Sequence, residues 1–315
     1  MSFVSALTSA ILPVLAIAGV GAILGWYRDV SVGPLSTVTI YVLTPALVFS
    51  SLATTPLDRS ALLSLGVGVV AFAAVMIVLA VGTARAIGET GSTRSGLVLT
   101  SAFANAGNYG IPLSAFAFGA VGRSTAVMYI AVQSVVMYTV GVAIASRGSR
   151  RGLSAALIEV FRLPLVYAVL AAFLARLLGV VPPAGSTVME TIALTGNAAI
   201  PVMLLLLGIQ LANTNDGATI RRVWAPTVLK MGVAPLVALA IAFALPFGDP
   251  VVARVFVLES ATPAAITPLM LTIEYGDGGR DDGAAYVSTT IMVTTLLSVP
   301  VLAILIAILQ SGVVI

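Results

Sequence analysis

The chain has 315 residues, 59% of them apolar and 9% charged, with a formal net charge of +3 and a mean hydropathy of +1.13. Soluble domains carry about a quarter of their residues as charges, so this composition belongs to a membrane. With neither cysteine nor histidine present, disulfides, thiolate nucleophiles, Cys- or His-ligated metals and Ser-His hydrolysis are excluded, and no cofactor or metal is expected.

The first 26 residues run apolar without a basic leader or a small-residue cleavage site, and read as a first span rather than a signal peptide. Segments long enough to cross about 30 Å of hydrocarbon follow at roughly 3–27, 34–54, 61–84, 95–118, 121–146, 161–181, 186–211, 223–246, 251–274 and 283–310. This predicts an all-α integral membrane protein of ten transmembrane helices. The connections between them are short and polar, and none is long enough to hold a soluble domain.

Basic residues orient the chain. Arg28, Arg85, Arg94, Arg147, Arg150, Arg151, Arg162, Arg221, Arg222 and Arg280 fall on the side of the loops after helices 1, 3, 5, 7 and 9, against Arg59 and Arg123 on the other. The first side is cytoplasmic by the positive-inside rule, which leaves both termini extracytoplasmic in a multi-pass cell-membrane protein. The positive charge therefore reads as topology, and no nucleic-acid partner is expected. Trp26, Tyr27 and Trp224 fall where an aromatic belt would on the cytoplasmic interface.

The two halves resemble each other. Pro45 and Pro201 are 156 residues apart, as are Pro112 and Pro268. Residues 1–146 form one five-helix repeat, 147–160 a short cytoplasmic linker, and 161–315 a second repeat that an odd helix count inverts. In helix 4, Asn105, Gly107, Asn108, Gly110 and Pro112 argue for an unwound crossing with two amides at mid-membrane depth, where a half-helix N-terminus suits an anion. In helix 9, Thr262, Pro263, Thr267 and Pro268 predict freed carbonyls and two hydroxyls facing a cavity. Such breaks survive in a bilayer only where protein or water surrounds them, and matched breaks point to the binding site of a carrier.

Four further residues are candidates. Glu259, about three residues from the centre of helix 9, is expensive there unless functional, and is the candidate coupling group. Lys230, the lone lysine, either tunes it or snorkels to the interface. Tyr41 and Asn197 each precede the proline of their helix by four residues and are candidates to line the cavity from the opposite domain. The acidic loop Asp277-Gly-Gly-Arg-Asp281-Asp282 matches no calcium-loop spacing.

With Phe103-Ala-Asn105-Ala-Gly107-Asn108-Tyr-Gly110-Ile-Pro112 as its most specific stretch, the chain resembles, over its whole length, the auxin efflux carrier family, which includes malate and malonate permeases. The resemblance implies a scaffold of helices 1, 2, 6 and 7, a transport domain of helices 3–5 and 8–10, and elevator-type exchange of a small organic anion held where broken helices 4 and 9 cross. Its other expected partner is membrane lipid, with a homodimer as the candidate assembly. The chain lacks the large central loop of the plant members, which weakens auxin itself as the substrate, and its helix 3 carries no acid.

Other readings stay open. A sodium-coupled symporter of the bile-acid type shares the plan and would draw on Asn105, Asn108, Thr262, Glu259 and Gln133 for oxygens. A membrane-embedded substrate sensor would bind without flux, and an enzyme would have only Glu259 and Lys230 to work with. The topology is directly testable in this cysteine-free background. Single cysteines at Ser149 and Asn215 are expected to resist a membrane-impermeant maleimide in intact cells while one at Ser60 reacts; the reverse pattern would overturn the orientation.

Overall fold

The computed structural model describes residues 11–28, 30–54, 58–146, 161–212, 220–275 and 282–312. The predicted linker 147–160 with Arg147, Arg150 and Arg151, the turn 213–217 and the acidic stretch 277–281 lie outside them. Among the described residues the structure is helical throughout, with one isolated β-bridge, between Ala104 and Ala264.

In chain order the helices are α1 (Leu12–Tyr27), α2 (Val32–Thr54, with a wide π-type turn at Thr39–Leu43), α3 (Arg59–Ala86) and α4 (Gly91–Ala102). A 40-residue helical run, Ala106–Ala145, follows and divides at Gly119, whose φ of 64° and ψ of −143° fit no L side chain comfortably, into α5 (106–118) and α6 (120–145). The second half holds α7 (Pro164–Leu177), α8 (Thr187–Ala212), α9 (Ile220–Ala244), α10 (Pro250–Ala261), α11 (Thr267–Tyr275) and α12 (Asp282–Ser311). Among the described residues, six runs are long and apolar enough to span a bilayer: Val32–Thr54, Arg59–Ala86, Ala106–Ala145, Thr187–Ala212, Ile220–Ala244 and Gly283–Ser311.

Local chemistry sets the helix starts. Ser186 Oγ accepts from Met189 N–H, with Glu190 in the first turn of α8, and Asp249 accepts from Val251 N–H at 2.7 Å, with Pro250 opening α10. Outward faces are apolar, as lipid requires: Trp26 and Tyr27 are 70% and 82% exposed, and Trp224 lies half out.

Packing follows the small residues. Helix α1 lies along the second half of α8, and a methyl group on Gly21 would come within 2.9 Å of the Leu205 backbone, while one on Gly208 would strike the carbonyl of Ala18. Glycines on both helices thus let two backbones approach as few side chains allow. Helix α2 packs on α7 and α8, and Gly196 of α8 meets the backbone of Leu47. Helices α3, α4, α6, α9, α10 and α12 pack on one another around Phe72, Leu97, Phe103, Tyr129 and Phe256. Between the two groups runs an apolar seam of Leu47, Val48, Leu165 and Met203 against Ile111, Val127 and Val255.

A backbone clash has no flexible side chain to yield, so Gly208→Ala is expected to cost more than about 2 kcal/mol and to lower the midpoint of thermal unfolding in detergent by several degrees. Gly19→Ala, where nothing lies within 4 Å of the added methyl, is expected to leave the midpoint unchanged or slightly raised.

Candidate functional site

Two helices stop where lipid would leave their backbone unsatisfied. Helix α4 ends at Ala102 and α5 begins at Ala106; α10 ends at Ala261 and α11 begins at Thr267. The intervening stretches run antiparallel and pair, Asn105 N–H donating to Pro263 O at 2.8 Å and Ala265 N–H to Phe103 O at 3.0 Å. Each bridge residue is then held from behind by a side chain. Gln133 of α6 accepts from Ala104 N–H at 3.1 Å and donates through Nε2 to Ala104 O at 2.8 Å, and Thr294 of α12 accepts from Ala264 N–H at 3.2 Å. A crossing built this way keeps its polar groups paired at full burial.

Beside the crossing lies a cavity of about 100 Å³. Ala104, Asn105, Gly107 and Asn108 line it from one broken helix, Ala265, Ile266 and Thr267 from the other, and Ile130, Gln133 and Met137 from α6. The first residues of both α5 and α11 therefore border one space. The leading N–H groups of a helix have no carbonyl one turn back, so the start of α5 presents donors and partial positive charge to that space, whereas in α11 Pro268 has no N–H and Leu269 N–H bonds to Ile266 O at 2.9 Å, which leaves Thr267 as the leading donor. Asn105 is 5% exposed, and its Nδ2 has no hydrogen-bond partner. Among the described residues, no charged side chain lines the cavity.

Behind α5 sits a second polar cluster. Glu259 is fully buried, with Oε1 accepting from Ser114 Oγ at 2.6 Å, Oε2 without a partner, and its carboxyl so close to Gly110 that a methyl group there would run into it. Lys230 is also fully buried. Its Nζ donates to Ser260 O at 3.0 Å and lies 5.5 Å from the centre of the Phe72 ring. Tyr129 OH and Ser260 Oγ share a hydrogen bond of 3.1 Å.

The structure brings Asn105, Gly107, Asn108 and Thr267 together at the cavity. Others take different parts. Gly110 leaves room for Glu259, and Pro112 lies in the first turn of regular α-helix beyond the break, where Ile111 N–H already bonds to Ala106 O, so no amide beside it is freed. Thr262 Oγ1 donates to Glu259 O at 2.8 Å, and the carbonyl of Pro263 is taken by Asn105 rather than left open. Pro268 is buried in the first turn of α11. Tyr41 is 62% exposed and does not border the cavity. Asn197 accepts from Arg123 Nη1 at 2.9 Å, which ties α8 to α6 away from the crossing. Lys230 does not snorkel: its side chain turns inward and reaches the residue next to Glu259, not the carboxyl itself.

The family model described as membrane transport protein matches residues 6–306. The chain belongs to that family, the auxin efflux carrier type. A protein of Methanothermobacter thermautotrophicus described as an uncharacterized transporter is 26% identical over 295 residues, which cover 92% of this chain and 94% of that one. The chain is thus a multi-pass membrane transporter.

Sequence reasoning named Gln133 only as a candidate oxygen for sodium, although a lone amide in an apolar helix was signal enough to ask which backbone it serves. Ser114, Thr294 and Ser260 carried no signal, because hydroxyls in apolar helices usually bond back to their own carbonyls. Removing Gln133 leaves two buried backbone groups of the transporter unpaired at about 1–3 kcal/mol each. Gln133→Ala is therefore expected to lower thermal stability in detergent more than Thr294→Val, which orphans one; equal stability of both variants with the parent would show that the crossing holds without these anchors.

Proposed function

We propose that this transporter is a secondary carrier for small organic anions, carboxylates of the malate, malonate or auxin kind, which it moves by elevator-type alternating access. One observation carries the reading: the N-terminus of α5, the first residues of α11 and the amides of Asn105 and Asn108 border a single cavity that no carboxylate among the described residues lines. Side-chain amides and the N–H groups of a helix start, with no charged group among the described lining residues, suit a carboxylate. The unpartnered Asn105 Nδ2 is a donor waiting for such a group.

The reading takes the chain as ten spans in two inverted five-helix repeats with both termini outside. In its favour, Ala104 and Ala264 lie 160 residues apart and their anchors Gln133 and Thr294 161, so each half supplies the same parts to the crossing. The scaffold would be α1, α2, α7 and α8, locked by close glycine packing, and the mobile part α3 to α6 with α9 to α12. An apolar seam between them, with few hydrogen bonds to break, favours sliding over opening. Of the oxygens a sodium site would draw on, Gln133 Oε1 is already engaged by Ala104 N–H.

Uptake of labelled malonate, malate and indole acetate into proteoliposomes tests the class, since flux without chemical change separates a carrier from an enzyme and from a sensor. A hydrogen bond to a charged group contributes about 1.5–3 kcal/mol. Asn105→Ala and Asn108→Ala are each expected to weaken anion binding by about ten- to a hundredfold; unchanged affinity in both folded variants would place the site elsewhere.

A further inference from the structure

The carboxyl of Glu259 stands behind the helix whose N-terminus borders the anion cavity, and the cavity itself does not use it. Its Oε2 faces Gly110, three residues along α5 from Gly107, which lines the cavity; at 1.5 Å per residue the two levels are about 5 Å apart along the axis. A negative charge at that place acts against the positive end of α5 and against any anion in front of it, across a medium that screens poorly.

From this placement we propose that Glu259 carries one proton whenever an anion occupies the cavity, so that the transporter moves the anion and a proton together, as a symporter. The inference rests on the anion reading of the cavity and adds the coupling ion and the sign of the coupling. A proton on Oε2 cancels the opposing charge and favours the anion; by linkage, the anion favours the proton by the same factor. The two ligands enter on one side, and after the exchange of access the anion leaves, the proton loses its partner, and Glu259 releases it to that side. Charge balances at each step: an anion and a proton in, the same pair out.

The groups around Glu259 fit this role. Of the helices packed on α10, α5 presents Gly110 and Ser114, α6 presents Tyr129, α9 presents Lys230 and α3 presents Phe72. Beyond Tyr286, α12 carries no acid or base as far as Ser311. Lys230 and Tyr129 both bond to Ser260, neither makes an ion pair or a hydrogen bond to the carboxyl, and Oε2 of this fully buried group has no protein partner. A carboxyl kept only for packing has no reason to remain half-bonded at this depth.

Malonate is the probe, with the full-length transporter in detergent and in proteoliposomes. On the parent protein, malonate binding measured in weak buffer between pH 5 and pH 9 is expected to take up protons over part of that range, beyond those the free malonate itself accounts for. Its affinity is expected to fall by about 5- to 150-fold across the transition. In Glu259→Gln the affinity is expected to lose that pH dependence, with malonate exchange retained and accumulation driven by an imposed pH gradient lost. Proton uptake absent at every pH, or a Gln variant that still concentrates malonate under a proton gradient without sodium, would overturn the coupling and leave the anion site standing. Should neither protein bind malonate, malate or indole acetate at any pH, the anion reading itself fails and the coupling falls with it.

Discussion

Two hydrogen bonds, Asn105 N–H to Pro263 O and Ala265 N–H to Phe103 O, set the terms for the rest of the transporter. A helix crosses a bilayer cheaply because every N–H finds a carbonyl one turn back; where it is interrupted, those groups must be satisfied by protein. Here each interruption satisfies the other. Neither broken helix is viable alone, so the crossing forces the two halves of the chain together, and the side chains of Gln133 and Thr294 are drawn from the neighbouring helices to finish the pairing. The first residues of α5 and α11 lie on one side of the crossing, beside the cavity. The cavity is thus a by-product of how the backbone is closed.

Close packing elsewhere keeps that arrangement from relaxing. In hydrocarbon the hydrophobic effect does not drive helices together, so contact area and shape carry the work, and glycine supplies both by letting backbones touch. Gly21 and Gly208 do so between α1 and α8, and Gly196 between α8 and α2. Gly110 differs in kind: it makes room for a carboxyl, not for a helix. The same residue type is structural in one place and part of the polar interior in another, and only its neighbours tell which.

Much of this was legible in the sequence. Composition gave a membrane protein, hydropathy gave long apolar helices, six of which among the described residues are long enough to cross a bilayer, and the Gly and Pro clusters located both broken helices to within a turn. The prolines misplace the breaks themselves. Pro112 and Pro268, 156 residues apart, sit in the first turns of regular helix past the breaks, where a missing N–H costs nothing, whereas the paired backbone is offset by 160. Proline marks where a helix restarts, so the four-residue difference is the local slack between restart and crossing. Rotation about a helix axis was not legible. Hydropathy has no term for it, and it decides that Lys230 points inward, that Tyr41 points outward, and that Asn197 meets Arg123 and not the cavity.

The distribution of charge also bears on how such a site can release what it holds. An arginine or lysine in the cavity would bind a carboxylate more tightly through a full charge, and would hold it in every conformation. Backbone N–H groups and the amides of Asn105 and Asn108 offer only partial charges, fixed by the helices that carry them. On the elevator and coupling readings proposed above, their grip depends on how α5 and α11 are seated against their surroundings, a geometry that a sliding domain would alter, and on the charge at Glu259 behind them. On the anion reading, a site made of dipoles with the carboxyl of Glu259 set one turn back has an affinity that the protein can change from outside the cavity, which a carrier must do once in every cycle.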